Sequence, residues 1–140
     1  MASASADPAK EKTKESASQL SGEWEQESHS VLSGAKELIN EKDLMIEIHG
    51  QTMEFWTGEA KGEFRALLVS AGFVLQPSAT PAHFDLTLKW RDGDQKRLGI
   101  YKIDGDSMTI CWGETRPTKF ECGGKDGAGS FLAIFKRIKR

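Results

Sequence analysis

From residue 20 onward, apolar and polar side chains alternate with the period of a strand rather than that of a helix. In His83 to Trp90, the residues Phe84, Leu86, Leu88 and Trp90 alternate with His83, Asp85, Thr87 and Lys89. The strongest turn signal comes soon after. Gly99 to Ile103 and Met108 to Trp112 flank Asp104-Gly105-Asp106, and Asp-Gly or Gly-Asp between apolar runs marks a hairpin because primed turns need positive φ. With Gly105-Asp106 at the centre, Ile103 faces Met108, Tyr101 faces Ile110 and Gly99 faces Trp112, all on one side of the ribbon. Lys102 with Thr109 and Ile100 with Cys111 take the other side. A turn at Asp104-Gly105 changes the partners and keeps the faces. Gly99 opposite Trp112 suggests a missing side chain that makes room for a large ring.

Leu20 to Val31 opens the folded part, with Gly22, Trp24, Gln26 and Ser28 on one face and Glu23, Glu25, Glu27 and His29 on the other. After a loop at Ser33 to Lys36, Leu44 to Thr57 reads as a second hairpin around His49-Gly50-Gln51. A Gly50-Gln51 turn sets Glu47 opposite Glu54, an unfavourable like-charge pair. A His49-Gly50 turn places Thr52 there instead and is preferred. Phe64 to Val69 fits a helix or a strand, Ser70-Ala71-Gly72 reads as a turn, and Pro77 to Pro81 as a connection. Arg91 to Lys96 is a polar turn around Asp92-Gly93-Asp94. Gly113 to Arg116 turns the chain, Thr118 to Cys122 carries it on, and Gly123 to Gly129 is a Gly-rich loop. Ser130 to Ile138 is the last strand, with Phe131, Ala133, Phe135 and Arg137 on one face.

About eight to ten short strands, with turn signals every ~8–12 residues, define an all-β antiparallel barrel or sandwich. Closure into a barrel removes the exposed edges of an open sheet. The barrel domain is assigned to 20–140. Residues 1–19 are rich in Ala, Ser, Lys and Glu, too poor in apolar surface to offset the entropy of ordering, and read as a flexible, disordered tail.

The chain has 140 residues, enough for one domain with a sizeable core. A formal net charge of −2 with 29% charged residues argues against a general nucleic-acid binder. No run of about 18 apolar residues is present, so no helical membrane span is expected. Ala4-Ser5-Ala6 has the small-x-small form of a leader cleavage site, but no charged and apolar regions precede it. The chain as written reads as cytoplasmic, or as exported if a leader has been removed. Cys111 and Cys122 are either free thiols or a bridge between neighbouring strands. His29, His49 and His83 are scattered without ligand spacing, so neither a metal nor a cofactor is expected. The Gly-rich loop lacks the Gly-Lys-Ser/Thr ending of a phosphate loop. His83 and Asp85 share a face as an acid and a base would, yet such a pair is more often a solvated outer face. The chain is therefore read as having no catalytic residues.

Several pieces, in order, resemble the uncharacterised planctomycete domain family, a lipocalin-like set of small bacterial domains. They are Leu20-Ser21-Gly22-Glu23-Trp24, Leu44 to Phe55, Pro81 followed by Asp85, Gly99-Ile100-Tyr101, Met108-Thr109-Ile110-Cys111, Arg116-Pro117-Thr118-Lys119-Phe120, and a last strand ending in Arg137. The chain departs from the family's wording at Ala82 and Phe84. The resemblance implies a lipocalin-like β-barrel and no established activity. In the wider lipocalin-like group a Gly-x-Trp on the first strand and an Arg on the last close one barrel end. Gly22, Trp24 and Arg137 are similar to that set, with a guanidinium over the indole.

These readings lead to a non-catalytic binding domain with a small, partly apolar ligand in the barrel. Phe84, Tyr101, Trp112 and Phe131 are the candidate lining residues. Arg116 either presents its guanidinium to a carboxylate or phosphate or bridges local carbonyls. The alternative is a protein-interaction module with a solid core, for which an exposed Trp56 or Trp90 would speak. The basic residues Lys136, Arg137, Lys139 and Arg140 read as a solvated strand end.

Overall fold

A computed structural model describes residues 19–31, 44–58, 65–113, 115–123 and 127–138. Eight strands succeed one another: β1 (Gly22–Val31), β2 (Met45–His49), β3 (Thr52–Gly58), β4 (Arg65–Gln76), β5 (Ala82–Trp90), β6 (Gly93–Asp104), β7 (Ser107–Gly113) and β8 (Phe131–Arg137). Each pairs antiparallel with the next, and β8 pairs with β1, so the sheet closes on itself. The all-β antiparallel barrel expected from the alternation is what forms. The tail and the Ser33 to Lys36 loop lie outside the described residues, except for Gln19.

The inner face is set by period-two alternation. Phe84, Leu86 and Leu88 of β5, Met108, Ile110 and Trp112 of β7, and Phe131, Ala133 and Phe135 of β8 are all buried in one core. Trp112 stacks on Phe131 at 4.1 Å between ring centroids and meets Phe55 edge-on at 6.2 Å. Phe84 bridges Phe73 and Tyr101. Offset and edge-on pairs of this kind add about 0.5–1.5 kcal/mol each beyond area burial. The one end of the barrel where the chain enters β1 and leaves β8, here the terminal end, also carries the β2–β3 and β6–β7 turns and the β4–β5 connection. The β5–β6 turn lies at the distal end, and the β7–β8 connection leaves from it.

The β6–β7 register is the one expected with Gly105-Asp106 at the turn: Ile103 pairs with Met108, Tyr101 with Ile110 and Gly99 with Trp112. The reason for Gly99 differs from the expectation. A Cβ there would lie 2.6 Å from the Phe84 carbonyl oxygen, while the Trp112 side chain is 3.4 Å away. The glycine makes room for the neighbouring backbone before it makes room for the ring.

Four local expectations are corrected. The β2–β3 turn centres on Gly50-Gln51, pairing His49 with Thr52 and Glu47 with Glu54. Cross-strand apolar pairs Ile48–Met53 and Ile46–Phe55 hold that register against the carboxylate repulsion. Ser70-Ala71-Gly72 is not a turn but the middle of β4, because Val69, Ala71, Phe73 and Leu75 keep one inward period across it. The β5–β6 turn is tighter than the composition suggested: Trp90 pairs with Gly93, so Gln95 and Lys96 already belong to a strand. In β1 an irregularity between Gln26 and Ser28 shifts the register, so that His29 pairs with Ala133 and leaves the outer face predicted for it.

Candidate functional site

Three of the sequence-derived lining residues, Phe84, Trp112 and Phe131, are completely buried among other core side chains. They fill the barrel rather than border either recess described below. Tyr101, on the same inner face, is 6% exposed and reaches the terminal rim. There a recess of about 460 Å³ opens. The β4–β5 connection supplies Pro77, Thr80 and Pro81, β5 supplies Ala82, and β6 supplies Tyr101, Lys102 and Ile103. Phe120 closes one side and Gln19 another. Prolines and paired strands make this wall rigid, because neither has backbone freedom to lose on binding. Among the described residues its one cation is Lys102, whose ammonium stands 4.7 Å from the centroid of the Phe120 ring.

Phe120 comes from the connection between β7 and β8, which folds back over the outer wall of the barrel. Arg116 anchors it. Nη1 donates to Asp85 Oδ1 at 2.5 Å and to the Gly99 carbonyl at 2.9 Å, and Nη2 donates to Asp85 Oδ2 at 3.1 Å. The guanidinium is thus held by a carboxylate and a carbonyl of the protein itself, which is the local-bridging arrangement. Thr118 and Lys119 donate their amides to the Gly127 carbonyl, and Gly129 donates to that of Glu121. Under this strap Ile100 and Cys111 are fully buried although they sit on the outer face of their strands. A second recess of about 440 Å³ lies on the other side of Phe120, among Ser30, Glu121, Cys122 and Leu132.

Both cysteines are free thiols. Cys111 Sγ lies 3.4 Å from the Glu121 carbonyl and 3.6 Å from that of Lys119. Burial pushes its pKa up from 9.0 to about 11, against the smaller opposing pull of backbone hydrogen bonds at Gly129 and Glu121. Cys122 Sγ donates to the Ser130 carbonyl at 3.6 Å.

At the terminal end Arg137 lies 4.2 Å over the Trp24 ring. Its Nη1 and Nη2 donate to the Ser21 and Gln19 carbonyls at 2.9 and 2.6 Å, and Nε faces Asp106 Oδ1 at 3.5 Å. Trp24 Nε1 donates to the Leu20 carbonyl. Gly22 has φ +126°, and a Cβ there would come within 3.3 Å of Arg137 Nη1. His83 and Asp85 take separate partners, Gln76 and Arg116. Trp56 and Trp90 are both half-buried.

The sequence reading passed over Lys102 and Phe120, which meet only because the strap folds back. It also passed over Arg97, the only buried charged side chain among the described residues, which donates Nη1 to the Lys96 carbonyl. The signal for Arg97 was present, since it shares parity with Gly99, Tyr101 and Ile103. Comparison of the chain with protein-family models, with curated proteins and with solved structures finds no match.

Proposed function

We propose that this chain is a non-catalytic binding domain that takes a small, partly apolar organic anion at the terminal rim. The observation that carries this reading is the rim recess, apolar along Pro77, Pro81, Tyr101 and Phe120, with the Lys102 ammonium at its edge. A ring or short chain of the ligand buries against the apolar side, and its carboxylate meets Lys102. The interior of the barrel contributes rigidity rather than volume, since its rings pack on one another. The up-and-down strand order is the one lipocalins use, which supports placing the chain near the lipocalin-like planctomycete domains it resembles. His83 and Asp85, bonded to different partners, favour a binding role over an acid–base one.

Tyr101 is the single tyrosine of the chain, so fluorotyrosine labelling gives one ¹⁹F resonance at the recess. Titration with 1-naphthoate is expected to shift that resonance saturably, with affinity about fivefold weaker in Lys102→Ala, the loss of one exposed charge-assisted contact. An unmoved resonance, or equal affinity in the variant, overturns the reading. The second reading, a protein-interaction module, is favoured by the exposed Leu67 and Val74 on β4.

A further inference from the structure

The β2–β3 hairpin brings together a set of side chains that the spacing of the histidines does not announce. Glu47 and His49 are two apart on β2 and share its outer face, and Glu54 stands directly across from Glu47 on β3. One ligand atom from each of the three lies within 4.8 Å of the others. We propose that Glu47, His49 and Glu54 bind a divalent transition-metal ion, of the zinc, cobalt or manganese class, on the outer face of this hairpin.

Three arguments carry the assignment. The first is donor chemistry. Two carboxylates with an imidazole suit zinc and its neighbours, whereas calcium and magnesium sites are built from oxygen alone. The second is distance. His49 Nε2 and Glu47 Oε2 are 3.5 Å apart, long for an N–H···O bond. Two ligands at ~2.0–2.1 Å from one tetrahedral ion stand about 3.4 Å apart, so this pair already has the spacing of a coordination edge. A Glu54 carboxylate oxygen lies within 4.8 Å of both. The third argument is the register. The apolar pairs Ile48–Met53 and Ile46–Phe55 hold the register that sets Glu47 opposite Glu54, so two carboxylates are kept facing each other by packing beneath them. Glu23 of β1 is next in line beside Glu47, giving three adjacent strands a carboxylate each at one level. A divalent ion on this face would take oxygen ligands from the facing pair. The His49 side chain is 66% exposed, which leaves the ion's remaining positions open to water or to a donor from another molecule. Backbone ladder bonds on both sides of the turn fix the three Cα positions, so ordering the site costs only side-chain rotation.

The test uses the full chain freed of metal by chelator. Isothermal titration with zinc chloride and the visible ligand-field spectrum of added cobalt(II) are measured on wild type, His49→Ala and Glu54→Gln. The expected result is one saturable zinc site per chain, a tetrahedral-type cobalt spectrum, and affinity weakened about tenfold or more in each variant. Both substitutions are on the outer face, and circular dichroism confirms that the variants keep their strands. Zinc binding equal in all three proteins overturns the proposal. So does binding of magnesium or calcium as tight as that of zinc, which would mark an acidic patch only.

Discussion

The inside of the barrel and the outer wall beneath the β7–β8 strap both bury apolar side chains, and they do so by different physics. Inside, strand alternation alone delivers Trp112, Phe131, Phe55 and Phe84 to one volume, and they fill it by stacking and edge contact. Close packing of large rings accounts for most of that burial. Outside, Ile100 and Cys111 point away from the core, and a sheet face in that position normally meets water. They are buried because a length of irregular chain is tied across them by Arg116, Asp85 and a few backbone hydrogen bonds. The first region depends on volume, the second on a small number of polar anchors.

The contrast can be broken most severely from within. Trp112→Ala is expected to cost about 3–5 kcal/mol in chemical denaturation, the range for emptying a large aromatic from a filled core. A loss under about 1 kcal/mol would mean that the interior is not filled.

An intermediate effect comes from the thiol beneath the strap. The folded protein holds the Cys111 proton to about pH 11, whereas the unfolded chain releases it near 9.0. Because the folded value is the higher one, this contribution is whole below pH 9.0 and is lost as the pH rises through about 11. Its size is roughly 2–3 kcal/mol. Cys111→Ala should flatten that part of the alkaline stability profile, and an unchanged slope in the variant would contradict a buried, protonated thiol.

The smallest effect sharpens the comparison. Arg116→Ala should lower global stability by only about 1–2 kcal/mol, since both partners are partly exposed and their attraction is screened. Amide exchange at Ile100 and Cys111 should nevertheless accelerate well before that at Ile110 or Ala133. Equal acceleration in both layers would show that the strap and the core open as one unit.

What could be read beforehand follows the same division. Inner-face residues such as Phe84, Leu86 and Leu88 declare themselves because strand geometry imposes a strict period of two, and the Asp104-Gly105-Asp106 signal sets the faces of β6 and β7 while leaving two turn positions open. The register of β2 with β3 departs from the expected one because the Ile46–Phe55 and Ile48–Met53 pairs outweigh the local repulsion between Glu47 and Glu54. The break after Gln26 was invisible because an extra strand residue leaves no mark on composition. The rim recess was hardest of all. Tyr101 could be named from its parity, but Lys102 and Phe120 are 18 residues apart in number and meet through an irregular connection that obeys no period. For Arg116 the sequence leaves display to a ligand and local bridging both open, and the fold decides for bridging by bringing up Asp85, 31 residues away.

The seam between β1 and β8 has a consequence for how the molecule comes into being. Arg137 reaches carbonyls at Ser21 and Gln19, more than a hundred positions back along the chain. Every other strand pair joins neighbours in sequence and can zip as the chain lengthens, whereas this join must wait for β8, the last strand of the barrel to be made. Until then, the nascent product is a curled ribbon with two bare edges, open to pairing with a sister chain. The Trp24–Arg137 contact is thus also the last stitch, and the moment it forms ends the interval in which the protein is most prone to clump.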